Sequence, residues 1–152
     1  MERSARIAAL EASASGISWV FAPMVDVTRD PRWGRVVESS GEDPFLGSQM
    51  AAARLRGFQG ERLGSPTSVL ACAKHFVAYR ACESGLDCHT AEISRRTLEE
   101  VCLPPVRSSR SGGRRLSDEC VSRHRRGSLN SRRGARAEMT EGADGILWTG
   151  GE

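Results

Sequence analysis

Long apolar runs, regularly spaced cysteines and lysine are all scarce in this chain of 152 residues. The longest apolar run, residues 19–25, contains Pro23 and is far shorter than the roughly 20 residues that a membrane-spanning helix needs. Five irregularly spaced cysteines do not form a disulfide framework, since an odd count leaves at least one unpaired. We therefore expect neither an integral membrane protein nor a disulfide scaffold. The first residues also lack the apolar region of a secretory signal, so nothing in the chain as written predicts export.

Charge and aromatic residues are divided unevenly at Pro105. Residues 1–105 carry 12 positive and 13 negative side chains, whereas residues 106–152 carry 10 and 6, and all ten of those cations are Arg. Seven of the eight aromatic residues precede the division, and only Trp148 follows it. A segment with so few apolar side chains cannot bury enough area to offset its chain entropy. We therefore predict one domain over residues 1–105 and a disordered tail over residues 106–152.

Helical and strand-like patterns alternate in the first 105 residues. An Ala/Glu-rich helical pattern is followed by a short apolar run, a capped helix, a second apolar run and a third helix. The predicted helices cover residues 5–14, 44–57 and 93–101, and the predicted strands cover residues 17–22 and 68–73. The two strands are nearly continuous apolar runs, as in strands that are buried on both faces of a parallel sheet. This order predicts an α/β fold with parallel strands.

Two polar motifs follow the predicted strands, at the edge where α/β proteins bind their ligands. RDPRWGR begins at Arg29, after the first strand, and is followed by Glu38 and by GEDP from Gly41. KHF begins at Lys74, after the second strand. These motifs at this spacing, over about residues 5–105, resemble the N-terminal barrel domain of glycoside hydrolase family three β-glucosidases. The resemblance implies a partial (β/α)8 TIM-type barrel.

The resemblance also implies a function. Relatives of this kind hydrolyse terminal non-reducing β-D-glucosyl residues with retention of configuration. At the matching positions, Arg35, Lys74 and His75 would bind hydroxyl groups of a small β-glucoside or oligosaccharide substrate. In the family the nucleophilic Asp and the acid/base Glu lie beyond the matched part, so we expect no catalytic residue in this chain and no activity of the chain alone. No cofactor or metal is implied, intact relatives are commonly periplasmic or secreted, and the oligomeric state stays open.

Other polar residues of the first loop have a structural interpretation. Arg29, Asp30 and Arg32 are expected to form ion pairs that shape the loop, and Trp33 is expected to pack at the rim of the barrel. Glu42 and Asp43 look like a pair of catalytic carboxylates. Their place at a helix N-terminus favours capping instead.

The cysteines in the second half of the domain lie near histidines in the sequence, as the ligands of a zinc site would. The candidate ligands are Cys82, Cys88, His75 and His89. They form neither a CxxC pair nor a regular ligand spacing, so we do not predict a metal site. Cys72 is expected to be a core residue of the second strand.

Three positions depart from the family pattern. Arg80 stands where the family has Gly, and Cys88 and Cys102 stand where it has Tyr. Each difference can arise from one base substitution. The pattern indicates a gene that is decaying without selection, or errors in the sequence.

The tail has the composition that out-of-frame translation of GC-rich DNA gives. Back-translated from Val106 and read one base later, the codons permit F-x-A-A-V-x-A-G-V-x-S-L-M-S-A-F-x-D-I-D-G-V-P, which is the family's expected continuation. The codons have little freedom at Asp118, Glu119 and Cys120, yet each permits the family residue. Met139 before Thr140 forces a stop in the shifted frame. We therefore predict a frameshift near Pro105 and a second frame change before Met139.

Two further interpretations stay open. Residues 106–137 are rich in Arg and would bind nucleic acid if they formed a basic arm. The segment lacks Lys, aromatic residues and a helical stripe, so we do not predict a nucleic-acid partner. The chain would alternatively be a non-catalytic fragment that binds sugar or a protein partner.

Overall fold

Helices and parallel strands alternate along the chain in the computed structural model, which describes residues 1–86, 89, 91–110, 116–119 and 146–147. The helices are α1 (Glu2–Ala14), α2 (Pro44–Gln59), α3 (Arg95–Thr97) and α4 (Leu103–Arg110), and a π-helical turn (Leu98–Cys102) joins the last two. The strands are β1 (Trp19–Val20), β2 (Leu70–Lys74), β3 (Leu116–Glu119) and β4 (Ile146–Leu147). Within these ranges no helix is both long and apolar enough to cross a membrane.

The four strands form one sheet in the order β1-β2-β3-β4, and every pairing is parallel. Trp19 pairs with Leu70, and Cys72 pairs with Ser117 in the next strand. Helices connect parallel strands because the chain must return to the same end of the sheet. The predicted α/β fold with parallel strands is confirmed.

The first strand is shorter and more exposed than the sequence predicts. Only Trp19 and Val20 form regular ladder contacts, and Phe21 is 55% exposed. The prediction of a strand that is buried on both faces is wrong for β1, because this strand lies at the edge of the described sheet. Cys72 in β2 is buried, as predicted.

Helix α2 begins where its cap is predicted. The Asp43 carboxylate accepts hydrogen bonds from the backbone N–H groups of Phe45 and Leu46, at 3.2 and 2.9 Å. These two bonds satisfy N–H groups that the first helical turn leaves without a partner. The helix runs to Gln59, two residues beyond the predicted end.

The third helical segment is longer than predicted. Ser94 caps it, with its hydroxyl accepting from the Thr97 backbone N–H at 3.0 Å. The helix continues through the π-helical turn and α4 to Arg110. It therefore passes Pro105, which is the predicted end of the ordered domain. The reason is packing, since Val106 is buried in the core. The predicted disordered tail otherwise lies largely outside the described residues, and β3 and β4 are its described strands.

The main core lies between β2, the helix α2 and the helical segment that ends in α4. Its buried apolar members are Val25, Ala51, Leu55, Ala71, Ala73, Phe76, Val77, Leu98, Leu103 and Val106. Apolar burial of this kind supplies most of the stability of an α/β layer. The core fixes β2 against α2, and it thereby fixes the position of the residues that follow β2.

Candidate functional site

The two polar motifs meet at the carboxyl ends of β1 and β2. Arg35 lies in the loop after β1, just before a short 3-10 helix (Val36–Glu38), and His75 directly follows β2. Their side chains approach to 3.4 Å, between Nη1 of Arg35 and Nε2 of His75. Parallel strands end at the same edge of a sheet, which is why residues 40 positions apart in sequence come together.

His75 is buried and is held by a single carboxylate. Its Nδ1 lies 2.7 Å from Oδ2 of Asp26, and its backbone N–H donates to the same oxygen at 3.1 Å. The side chains of His75 and Asp26 are only 2% and 3% exposed. The Tyr79 ring packs edge-on against the imidazole, with 4.5 Å between the ring centroids. Both the main chain and the ring of His75 are therefore fixed.

Arg35 is held by Glu38 in a two-pronged ion pair. Nε and Nη2 of Arg35 donate to Oε1 and Oε2 of Glu38 at 2.7 and 2.8 Å. These hydrogen bonds lower the pKa of Glu38, and they raise the pKa of Arg35. The guanidinium also lies over the rings of Tyr79 and Trp33, at 5.4 and 5.9 Å. Such a planar fork on a carboxylate holds the direction of the remaining N–H groups.

Lys74 is the last residue of β2, and its backbone joins the two strand ends. Its N–H donates to the carbonyl oxygen of Pro23, and its own carbonyl oxygen accepts from the N–H of Val25. The positive charge of Lys74 also contributes to the lowered pKa of Glu38, after the larger effect of Arg35. All three predicted substrate-binding residues thus contribute to one polar cluster, with Arg35 and His75 in direct contact.

Asp30, Arg32 and Trp33 of the first loop have the structural roles that the sequence predicts. Arg32 forms an ion pair with Asp30 at 2.8 Å, and these hydrogen bonds lower the pKa of Asp30 to about 2. Trp33 is buried, and its ring packs edge-on against Tyr79 at 5.5 Å. The packing role of Trp33 is therefore confirmed.

Of the two acidic residues that resemble a catalytic pair, Asp43 is the helix cap, as predicted. Glu42 has a different role from the predicted cap. Its backbone carbonyl oxygen accepts a hydrogen bond from Nε of Arg29 at 3.4 Å. The N-cap is the residue immediately before the first turn, which is Asp43, and Glu42 stands one position before it.

Of the candidate zinc ligands, Cys82 has another contact. Cys82 is buried, and its thiol donates to the carbonyl oxygen of Tyr79 at 2.8 Å. In the described ranges no three acidic, His or Cys side chains form a group that could hold a metal ion. Cys88 lies outside the described residues.

Asp26, Glu38 and Tyr79 belong to the cluster but are not among the site residues that the sequence predicts. Asp26 holds His75, and Tyr79 contacts both His75 and Arg35. The signal for Asp26 was a single carboxylate directly after an apolar strand, where burial requires a partner. The sequence gives a weaker indication for Tyr79, because an aromatic residue in a loop is more often a core residue than a site residue.

The cluster has the donors to bind a polar ligand, but among the described residues it has no free pair of carboxylates for bond cleavage. Arg35 and Lys74 supply cationic donors, whereas the carboxylate of Glu38 is held in an ion pair with Arg35 and the carboxylate of Asp26 contacts the imidazole of His75. Cationic donors lie at the carboxyl edge of the parallel sheet, which defines the class of protein as an α/β protein of the kind that binds ligands at its strand ends.

Comparison with known proteins places the chain within this class. The glycosyl hydrolase family 3 N terminal domain matches residues 1–109, and the chain belongs to this family. A periplasmic β-glucosidase of Salmonella typhimurium is 40% identical over 108 residues, which cover 71% of this chain and 14% of that protein. A β-xylosidase of Formosa agariphila is 40% identical over 112 residues, covering 72% of this chain and 16% of that protein.

Solved structures agree with the sequence relatives. The β-glucosidase of Listeria innocua in complex with glucose superposes with a TM-score of 0.80 at 37% identity, covering 97% of this chain and 22% of that one. A mutant of that enzyme in complex with laminaribiose gives a TM-score of 0.80 at 37% identity, covering 99% of this chain and 22% of that one. The chain spans only about one seventh of the length of the curated relatives that it matches.

Proposed function

We propose that this chain is the sugar-binding part of a partial (β/α)8 barrel in a retaining β-glucosidase. Arg35, Lys74 and His75 bind hydroxyl groups of a terminal non-reducing β-D-glucosyl residue. The observation that supports this function best is the 3.4 Å approach of Arg35 to His75 across two strand ends. The glucose complex of the related Listeria innocua enzyme supports the choice of sugar.

The chemistry of the cluster suits a sugar hydroxyl group. A hydroxyl both donates and accepts a hydrogen bond, so it can pair with a cationic donor and with an imidazole nitrogen at once. Bonds from charged donors are shorter and stronger than neutral ones. Hydrogen bonds to sugar hydroxyls that strengthen in an oxocarbenium-like transition state also contribute to the rate of hydrolysis.

Cleavage requires groups that this chain does not supply at the cluster. A retaining glycosidase uses two carboxyl groups about 5–5.5 Å apart, one as nucleophile and one as acid/base. Asp26 is occupied by His75, and Glu38 is occupied by Arg35. We therefore propose that the chain alone binds sugar without hydrolysing it, and that cleavage belongs to a complete barrel of about 250 residues with its further domain.

The test is a titration of the full chain with glucose and with methyl β-D-glucopyranoside, followed by NMR chemical shifts. We expect shifts at Arg35 and His75, and we expect Arg35→Ala and His75→Ala to abolish them. Arg32→Ala is the matched control, because this exposed arginine of the same loop pairs only with Asp30 among its described contacts. Binding that survives both site variants would refute the assignment, as would release of 4-nitrophenol from its β-glucoside by the chain alone.

A β-xyloside is the second candidate substrate. Several relatives that match this chain at 34–40% identity are described as β-xylosidases. Xylose lacks the hydroxymethyl group of glucose, so a titration with methyl β-D-xylopyranoside separates the two sugars. Tighter binding of the glucoside supports the proposed function. Tighter binding of the xyloside would make a β-xyloside the substrate instead.

We also propose that the gene has a frameshift near Pro105. The family match ends at residue 109, four residues after the predicted site of the shift. The residues Leu116–Glu119 form β3, which pairs with β2. Read one base later, their codons permit S-L-M-S. The resemblance implies a strand after the helix α4, and β3 lies at the corresponding place.

Resequencing the gene across the codons of Pro105 to Glu152 tests the frameshift. A corrected base that opens a frame toward an Asp-bearing strand would show a complete β-glucosidase gene. A shift that is confirmed in the DNA would show a pseudogene, in which the sugar site is a remnant. A nucleotide sequence whose alternative frame does not encode the strand would refute the proposal.

A further inference from the structure

The hydrogen bonds around His75 determine which of its ring nitrogens carries the proton. A guanidinium has only donors, so Nη1 of Arg35 can pair with Nε2 of His75 only if Nε2 is an acceptor. The proton of the neutral ring must then be on Nδ1, which faces Oδ2 of Asp26 at 2.7 Å. A carboxylate accepts this proton's hydrogen bond, so both contacts require the same tautomer.

Asp26 is well placed to enforce this tautomer. Its Oδ2 accepts from both the backbone N–H and the ring Nδ1 of His75, so one oxygen fixes the position and the rotation of the ring. Its side chain is 3% exposed, and a buried carboxylate cannot exchange this partner for water. The Tyr79 ring closes one side of the imidazole and limits its rotation further.

We propose that Asp26 is a positioning residue that fixes His75 as the Nδ1–H tautomer, with Nε2 as an acceptor beside the Nη1 donor of Arg35. This inference rests on the proposed function. A substrate hydroxyl that displaces this direct contact can donate to Nε2 of His75 and accept from Nη1 of Arg35, which lie 3.4 Å apart. The pair therefore selects a free hydroxyl group, because an ether oxygen or a missing hydroxyl cannot donate to Nε2.

The first test measures the tautomer directly, without sugar. Long-range ¹H–¹⁵N NMR of the full chain distinguishes a protonated from an unprotonated ring nitrogen, and the His89→Gln and His124→Gln variants assign the His75 signals. We expect a protonated Nδ1 and an unprotonated Nε2 at neutral pH. A protonated Nε2 in the unsubstituted chain would overturn the proposal, and this result does not depend on sugar binding.

The second test removes the carboxylate. Asp26→Ala should abolish the single tautomer and weaken glucose binding by about tenfold or more, the loss expected for a hydrogen bond to a charged group. Asp26→Asn keeps an oxygen at the same place and should restore most of both properties. Asp30→Ala, in the same loop, is the matched control and should change neither. An unchanged tautomer in Asp26→Ala would overturn the role of Asp26, and if that variant does not fold, the tautomer of the unsubstituted chain decides.

The substrate arm compares glucose with its deoxy and O-methyl derivatives. One derivative, which lacks the hydroxyl that contacts His75, should bind the unsubstituted chain more weakly than glucose does. To the Asp26→Ala variant, this derivative and glucose should bind equally weakly. Equal binding of all derivatives to the unsubstituted chain would overturn the selection of a free hydroxyl. The Nδ1–H tautomer without any glucose binding would retain the positioning role of Asp26 and refute the proposed function instead.

Discussion

Gly57 in α2 is the position where an added methyl group should be most harmful. The substitution Gly57→Ala would place a Cβ atom against the backbone carbonyl oxygen of Glu2 and 2.6 Å from Cβ of Ala5, both in α1. Carbon atoms pack at about 3.5–4.0 Å, so the two helices would have to separate by about 1 Å. Glycine at this position is therefore required by the close approach of two helices.

The expected magnitude is a balance of two terms. Alanine gains about 0.5–1 kcal/mol over glycine inside a helix. Overpacking of a rigid contact typically costs about 1–3 kcal/mol, and here the contacted atoms are backbone atoms of α1 and the Cβ of Ala5, which cannot rotate away. We expect a net loss of about 1–2 kcal/mol in the free energy of unfolding. For a domain of this size, that loss lowers Tm by about 5–10 °C.

Thermal and urea unfolding, followed by circular dichroism, measure this loss. Gly47→Ala is the matched control in the same helix, because its Cβ would lie 3.4 Å from Pro105 and 3.7 Å from Val27, at ordinary contact distance. The control should be neutral or more stable. If Gly57→Ala is as stable as the unsubstituted chain, α1 does not pack on α2 as described, and the reasoning is refuted.

Three further predictions concern the cap, the response to acid and the thiol of Cys102. Asp43→Ala should lower the free energy of unfolding by about 1 kcal/mol in urea, whereas exposed Glu42→Ala should change it little; equal effects would contradict the cap. The pKa of Asp30 is lowered to about 2, and the pKa of Glu38 is also lowered. The ionised carboxylates therefore stabilise the folded chain above their unfolded pKa values, and this stabilisation is lost as the pH falls from about 5 toward 2. The Tm should fall over this pH range, and the fall should be smaller in Asp30→Asn. If Tm falls by the same amount in both chains, Asp30 does not contribute. Burial raises the pKa of Cys102 to about 11, so iodoacetamide at pH 8 should label it slowly in the folded chain and rapidly in urea, as followed by peptide mass mapping. Equal labelling rates would contradict this burial.

The sequence predicted the kinds of elements better than their extents. The Asp43 cap and the apolar run of β2 are local signals, and both elements lie where they were expected. The exposure of β1 was not predictable, because an apolar run does not reveal how many strands will flank it. The continuation of α4 through Pro105 depends on packing in the core, which no local propensity reports.

The candidate site shows the same division. The motifs around Arg35 and His75 identified both residues, and the resemblance assigned them to one sugar ring. Asp26 was missed because its importance comes from burial beside His75, and burial is a property of the packed chain. A lone carboxylate after a strand has no sequence feature that distinguishes a buried ligand from a loop residue.

By itself, the sequence determined the family, the parallel α/β class and the residue types of the site, because apolar periodicity and motif spacing are encoded locally. Tertiary structure alone decided that Arg35 and His75 touch, that Glu38 directs the guanidinium and that Asp26 fixes the imidazole. These contacts join residues from two strand ends. Their geometry depends on how the sheet and α2 pack, since a hydrogen bond requires positions accurate to a few tenths of an ångström.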